Sequence, residues 1–258
     1  MLFRSIEFHE KNLAIVRELK IRRSEGTSLN HLGIVYFYLR NYPKAIELQE
    51  QTLAIAREAK DRKGEEIALG NLGISYGELG NYKKAIELQE QRLVIAREIK
   101  HRKGEWSGLH NLGAVLEKQK QPELAIVFYK QAINVSESLR KELKALPRES
   151  QELYTSSVAV IYRRLANTLL SQGRTREAQN VLELLKVQEL RSFENGQDIK
   201  SAPIQFPIHP LESQALQIIE KTITSKQSLT LETLKTIGQP LTQNRDRIIQ
   251  DKIGRAHV

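Results

Sequence analysis

The chain is expected to be all-α, a solenoid of antiparallel helix pairs with a less ordered C-terminal tail. Three observations predict this. Shifting the 258-residue sequence by 40 aligns it with itself, so that "NYPKAIELQEQTLAIARE" from Asn41 falls on "NYKKAIELQEQRLVIARE" from Asn81. A period of this length, held over at least three copies, marks an array of stacked units. The composition is dominated by Leu, Ala, Ile, Glu, Gln, Lys and Arg, residues that lose little side-chain freedom in a helix. No alternating apolar and polar run is long enough to read as a strand.

Each unit reads as two helices. The first runs roughly over Glu65–Leu79, with Leu69, Leu72, Tyr76 and Leu79 at three- and four-residue steps. Gly80-Asn81 stops it, as a left-handed C-terminal residue would. The second runs from about Tyr82 to Lys100, and in neighbouring copies Pro43 and Pro122 fall at its first turn, where a missing N–H costs nothing. This second helix carries two apolar stripes, Ile86 with Leu93 and Leu88 with Ile95. One stripe can close on the helix's own partner and the other on the next copy. A single unit cannot bury itself, so stacking is obligatory. Gly33, Gly73 and Gly113 coincide under the shift, each preceded by Leu, as do Ala45, Ala85 and Ala125.

Leu69, Leu72-Gly73, Tyr76 and Ala85 give each unit a pattern that resembles the tetratricopeptide repeat. The 40-residue period is similar to the lengthened variant of the Leu-Gly-Asn repeat proteins and kinesin light chains. Gln49 and Gln89 depart from it where the family prefers an aromatic, which Tyr129 retains. The resemblance covers about Arg4 to Phe193. It implies a right-handed superhelix in which Gly73 and Ala85 let paired helices approach closely. Residues 1–195 then form the array, with a partial first repeat and units near 24–63, 64–103, 104–147 and 148–195. The last unit is displaced: Leu165-Ala166 and Ala178 match the template after about 13 added residues, which are expected to lengthen the helix after Pro122 until Pro147 ends it.

Residues 196–210, with Pro203, Pro207 and Pro210, read as an extended linker, and residues 211–252 as a tail with short helices around Leu211–Thr224 and Thr230–Ile237. Both ends are expected to be cut. The chain opens inside a second helix, and residues 253–258, "IGRAHV", resemble the translation of a sequencing adapter. The final repeat resembles the segment leading into the caspase-like CHAT domain of bacterial, especially cyanobacterial, repeat proteins. In that family a His–Cys dyad lies downstream, and this chain has no Cys. The resemblance implies a parent protein with a protease-like module and no activity in this chain.

Function is expected to be binding. No apolar run approaches the ~20 residues of a membrane span, and no signal-peptide stretch opens the chain, so a soluble cytoplasmic protein without membrane contact is expected. "GISYG" from Gly73 matches the G-x-S-x-G nucleophile pattern, but that chemistry needs a strained strand-to-helix turn, whereas Ser75 falls mid-helix. The six histidines show no metal-ligand spacing, and no cofactor or metal is expected. The net charge of +9 concentrates partly in "LKIRR", "AKDRK" and "IKHRK". These place Lys20, Lys60 and Lys100, then Arg22, Arg62 and Arg102, then Arg23, Lys63 and Lys103 in register. Such a ridge complements helix C-termini, or else serves an anionic partner, including nucleic acid; few aromatics accompany it.

The resemblance also implies that the residue before each Leu-Gly pair faces a concave groove and can hold a peptide backbone. Those residues are His31, Asn71, Asn111 and Arg164, with Asn30, His110 and Arg163 as neighbours that add specificity. Asn both donates and accepts, which suits a backbone amide. The two-lysine carboxylate clamp of chaperone-binding relatives is not reproduced, because Gly70 and Ile74 stand where its first Lys and Asn would be. A protein or peptide segment in this groove is the expected partner. The alternative is a regulatory arm for a CHAT protease.

Overall fold

The computed structural model describes residues 2–143, 147–193, 207–225 and 227–254, and all regular structure among them is helical. It divides into two compact units, 1–104 and 105–258.

The first unit contains α1 (Leu2–Glu18), α2 (Arg22–Tyr38), α3 (Tyr42–Glu58), α4 (Arg62–Glu78) and α5 (Tyr82–Glu98), and the boundary falls in the first turn of α6 (Arg102–Lys118). α2 to α5 have 17 residues each, and successive helices are separated by three residues. The junctions share one construction. At the end of α2 the Arg40 N–H donates to Phe37 O and the Asn41 N–H to Tyr36 O, both at 2.9 Å. This is the Schellman closure, which satisfies carbonyls left over at a helix end. Asn41 then caps α3 by accepting from the Lys44 N–H at 3.2 Å, as Asn81 does from Lys84, and Asp61 accepts from Gly64 at 2.9 Å. One residue thus ends one helix and starts the next, which folds consecutive helices back on each other. The cap at Asp61 also explains why α4 begins at Arg62, one turn before the periodicity alone suggests.

The left-handed residue in this closure is Gly80 after α4, with φ 86°, as expected. Gly173 of the second unit, with φ 75°, is a second glycine, whereas Lys20, Arg40, Lys60, Lys100 and Lys120, with φ between 52° and 60°, are basic. The in-register lysines of the ridge therefore mark a repeated backbone position.

Consecutive helices of the unit pack together, α1 on α2, α2 on α3, α3 on α4 and α4 on α5. The two stripes of α3 part as expected. Leu48 and Ile55 join Leu29 and Leu32 of α2 with Leu13 and Val16 of α1. Ile46 and Leu53 join Ala68, Leu69 and Leu72 of α4 with Leu88 and Ile95 of α5.

The glycines leave room for the facing helix: at Gly33 an added Cβ would meet the Ala45 carbonyl, 3.4 Å away, as well as the side chain four residues past that alanine, which is the nearest neighbour in each copy. A Cβ at Gly33 would lie 3.0 Å from Gln49 Cγ, at Gly73 2.4 Å from Gln89 Nε2, and at Gly113 2.5 Å from Tyr129 Cε1. Gln49 and Gln89 fill the aromatic's place as buried polar groups with partners: Gln49 accepts from Ser75 Oγ at 2.8 Å, and Gln89 donates to Gly70 O at 2.9 Å.

The second unit holds the rest of α6, α7 (Pro122–Leu143), α8 (Arg148–Ser171), α9 (Thr175–Phe193), α10 (Pro210–Thr224), α11 (Leu231–Gln243) and α12 (Arg245–Gly254). The added residues are shared between two helices: α7 has 22 residues and α8 has 24, against 17 for α3. Pro147, extended at φ −52°, precedes the first turn of α8. Tyr162 Oη donates to Glu137 and Tyr154 Oη to Ser136 O, both at 2.7 Å, which ties the longer helices together.

The tail is more structured than its sequence suggests, since α10 and α11 pack on each other and on α7. Glu212 of α10 is fully buried; it accepts from Lys130 Nζ at 2.7 Å and from Arg174 at 2.6 Å. Lys130 also pairs with Glu177 at 2.6 Å, and Arg174 with Glu123 at 2.8 Å and Glu177 at 2.6 Å. Two cations and three carboxylates are thus buried together. The end of the expected array, residues 194–195, most of the expected linker, residues 196–206, and residues 255–258 of the adapter-like end lie outside the described residues; Ile253 and Gly254 close α12.

Candidate functional site

In the first unit, neighbouring first-type helices bring two of the expected site residues together. Asn71 Nδ2 of α4 donates to Asn30 Oδ1 of α2 at 2.8 Å, and both side chains are half-buried. That bond uses one donor and one acceptor. The Asn71 carbonyl oxygen and the Asn30 amide hydrogens remain, an acceptor and donors side by side. A cleft of about 300 Å³ is lined by one member of the pair, Asn30, with Thr27, Arg23, Lys63, Asp61 and Ile67 among others; Asn71 is not part of its lining. His31 is exposed and joins a different contact, its ring 5.0 Å from that of His9 on α1.

A charged cluster that the sequence analysis did not single out lies at the same end of α4. Glu66 is fully buried and accepts from Arg92 Nε at 2.7 Å, with His101 Nδ1 at 2.9 Å and Lys63 Nζ at 3.3 Å. Burial pushes its carboxyl up, but Arg92, Lys63 and His101 together hold it below the usual range. Gly70 provides the room: a Cβ there would fall 2.8 Å from the Arg92 guanidinium. The position where chaperone-binding relatives carry a clamp lysine is thus covered by an arginine reaching over from α5. The sequence signal is the glycine itself, since mid-helix glycines cost about 1 kcal/mol relative to alanine and Gly70 has no equivalent in the other copies.

The second unit groups His110, Asn111 and Arg164. The His110 ring lies 5.7 Å from that of Tyr129. Burial first, and the Arg164 charge second, lower its pKa to about 4 despite a hydrogen bond with Asn111. Its Nε2 is buried without a partner. Arg164 Nε stands 3.4 Å from Glu117, which also accepts from Tyr129 Oη at 2.7 Å and from the Thr168 hydroxyl. Arg163 is exposed and pairs with Glu189 of α9 at 3.2 Å, apart from that group.

The ridge arginines are engaged in the fold. Arg22 binds Glu25 and Glu58, both at 2.7 Å; Arg62 binds Glu65 at 2.6 Å and also Glu98. Arg17 and Arg57 complete the same brackets on Glu25 and Glu65 at 2.9 Å. The Arg17 hydrogen bond, against burial and with help from Arg22, keeps the Glu25 carboxyl below the usual range. Ser75 is buried in mid-α4 and committed to Gln49, so it lacks the exposed, strained setting a nucleophile needs. Among the described residues no group of three metal-ligating side chains occurs, and no helix is long and apolar enough to cross a membrane.

A family model described as "Tetratricopeptide repeat" matches residues 2–58, 24–98 and 65–138. Among solved structures, the chain is similar to the apo form of RapI, at 19% identity and a TM-score of 0.50, over 76% of this chain and 79% of that one. It is also similar to BtubC (BKLC) from P. vanneervenii, at 16% identity and a TM-score of 0.57, over 98% of this chain and 92% of that one. At these identities the likeness is one of fold. No curated protein matches the sequence.

Proposed function

We propose that this chain, which belongs to the tetratricopeptide repeat family, is a protein-interaction scaffold. Its first-type helices hold an extended segment of another protein, without chemistry of their own. The observation that carries this reading is the Asn30–Asn71 pair. Two amides on neighbouring helices offer an acceptor and donors, and one of them, Asn30, lines an open cleft. A peptide backbone repeats that same alternation of donor and acceptor whatever its side chains. Arg23, Lys63 and Asp61 at the cleft add charge selectivity. In the second unit, Asn111 beside His110 is proposed as a further contact, with Arg164 next to it. Nucleic acid is the weaker partner, because Arg22 and Arg62 already sit on glutamates of their own unit.

The test is a selection of phage-displayed peptides on the immobilised chain, followed by fluorescence anisotropy. Asn30→Ala with Asn71→Ala should weaken a selected peptide by about tenfold, the worth of one or two hydrogen bonds, while the thermal melt stays in place. Peptides that bind the double variant as tightly, or a selection that yields none, would remove the groove reading.

A further inference from the structure

The 40-residue shift lays one position on itself three times: Gly26 in α2, Glu66 in α4 and Trp106 in α6. Two of the three carry a large side chain that the fold buries. Glu66 is fully buried, and Trp106 in the second unit is 7% exposed. Glu66 shares its space with Arg92, which reaches over from α5 to donate to it at 2.7 Å and lies over Gly70. In the copy before it, Gly26 stands in place of Glu66 and Thr52 in place of Arg92. Both large side chains are missing together, and Gly26 and Thr52 both line the cleft of about 300 Å³ between α2 and α4. A position that the next copies fill from within is left open here.

We propose that this cleft is a specificity pocket for a tryptophan side chain of the bound segment. The proposal rests on the groove reading above and adds the side chain that the groove selects. A cavity of about 150 Å³ holds benzene, so this one has room for an indole. Gly26, Ile55, Ala56, Ala59 and Ile67 give it apolar walls, against which an aromatic ring buries a large area. Arg23 and Lys63 stand at its rim with Asp61, and cations are drawn to an indole face. Asp61 accepts from the Gly64 N–H at 2.9 Å through Oδ1 and meets Arg23 only at 3.5 Å through Oδ2, which leaves acceptor capacity for an indole N–H. Charged side chains are worse served: an incoming carboxylate meets Asp61, and an incoming guanidinium meets Arg23 and Lys63. The Glu66–Arg92 filling takes one group from each of two helices, so a single entering side chain cannot reproduce it. The filling at Trp106 needs only one ring, and the chain's single tryptophan is already buried in its own unit.

The probe is N-acetyl-tryptophan amide, titrated into the isotope-labelled chain and followed through the backbone amide resonances of Gly26, Asn30, Thr52 and Gly64. It should shift them saturably and bind about two- to fivefold more tightly than N-acetyl-leucine amide, the margin that one exposed cation–π contact supplies. Gly26→Trp places the ring from within, as at Trp106; its Cβ would lie 3.1 Å from Ile55 Cγ2, so that methyl must give by a few tenths of an ångström. This variant should abolish the shifts and keep or raise the thermal midpoint. Ala59→Ile installs the residue that the next copy carries at Ile99 and narrows the cleft without touching a helix interior; it should weaken the probe with the melt unchanged, and it carries the test if Gly26→Trp fails to fold. Absence of saturable shifts, equal binding of the leucine compound, or binding undiminished by both variants overturns the proposal. Peptides that depend on Asn30 and Asn71 yet bind the Gly26→Trp chain as tightly would remove the pocket and leave the groove standing. Saturable binding of the probe with no peptide selected would remove the groove and leave the pocket.

Discussion

His110 shows what burial does to a single side chain. In an unfolded chain its imidazole takes up a proton near pH 6.5, whereas in the fold burial, then Arg164, defer this to about pH 4. Between those values the unfolded state binds more protons, so stability rises with pH and falls as the solution is acidified. The loss should amount to up to roughly 3 kcal/mol between pH 6.5 and 4 at ~1.4 kcal/mol per pH unit. Urea denaturation at pH 7 and pH 4.5 measures it, and His110→Phe should flatten the difference. The lowered carboxyls of Glu25, Glu65 and Glu66 add an acid loss of the same sign at lower pH, as their partners' hold is released. At this scale the sequence was legible in part. It placed His110 and Asn111 at first-helix positions, but not the half-burial of the His110 ring against Tyr129. Nothing local distinguishes a histidine under a tyrosine ring from one in water. Gln49 and Gln89 stood out as departures from pattern; that each would be buried with a partner depended on glycine and serine on facing helices.

At the scale of the element, the junction between helices governs the array. Its left-handed residue is Gly80 or Gly173 at two junctions and basic at Lys20, Arg40, Lys60, Lys100 and Lys120. A side chain in that conformation costs about 1 kcal/mol or more, which glycine avoids. Lys60→Gly is therefore expected to stabilise the chain, by up to about 1 kcal/mol after the larger entropy of unfolded glycine is deducted, raising the thermal midpoint. A lowered midpoint would mean that the Lys60 side chain, exposed in the structure, holds something at the helix end. Helix positions were readable because apolar residues recur at three- and four-residue steps. The start of α4 was not, because Asp61 caps through a single hydrogen bond that leaves no periodic trace.

At the scale of the whole molecule, the C-terminal helices test what holds a segment to a repeat array. α10 meets the second unit through Glu212, set between Lys130 and Arg174. Removing one partner of a buried ionic group leaves uncompensated charge and costs ~3–5 kcal/mol. Glu212→Ala should therefore lower stability to chemical denaturant by that order and expose residues 210–224 to proteolysis and hydrogen exchange. Unchanged protection of α10 would show that its apolar contacts through Ala215, Ile219 and Ile223 suffice.

The sequence by itself determined the helical class, the two-helix unit, the division of apolar stripes and the small residues that space each pair. All of these repeat over three to forty residues, and periodicity records neighbours that are local or copied. Only the tertiary structure decided that Asn30 meets Asn71, that Arg92 lies over Gly70, and that Glu212 joins Lys130 and Arg174. Each of these joins side chains brought close by packing, and in sequence a charged or amide residue reads the same whether its partner is a buried ion or water.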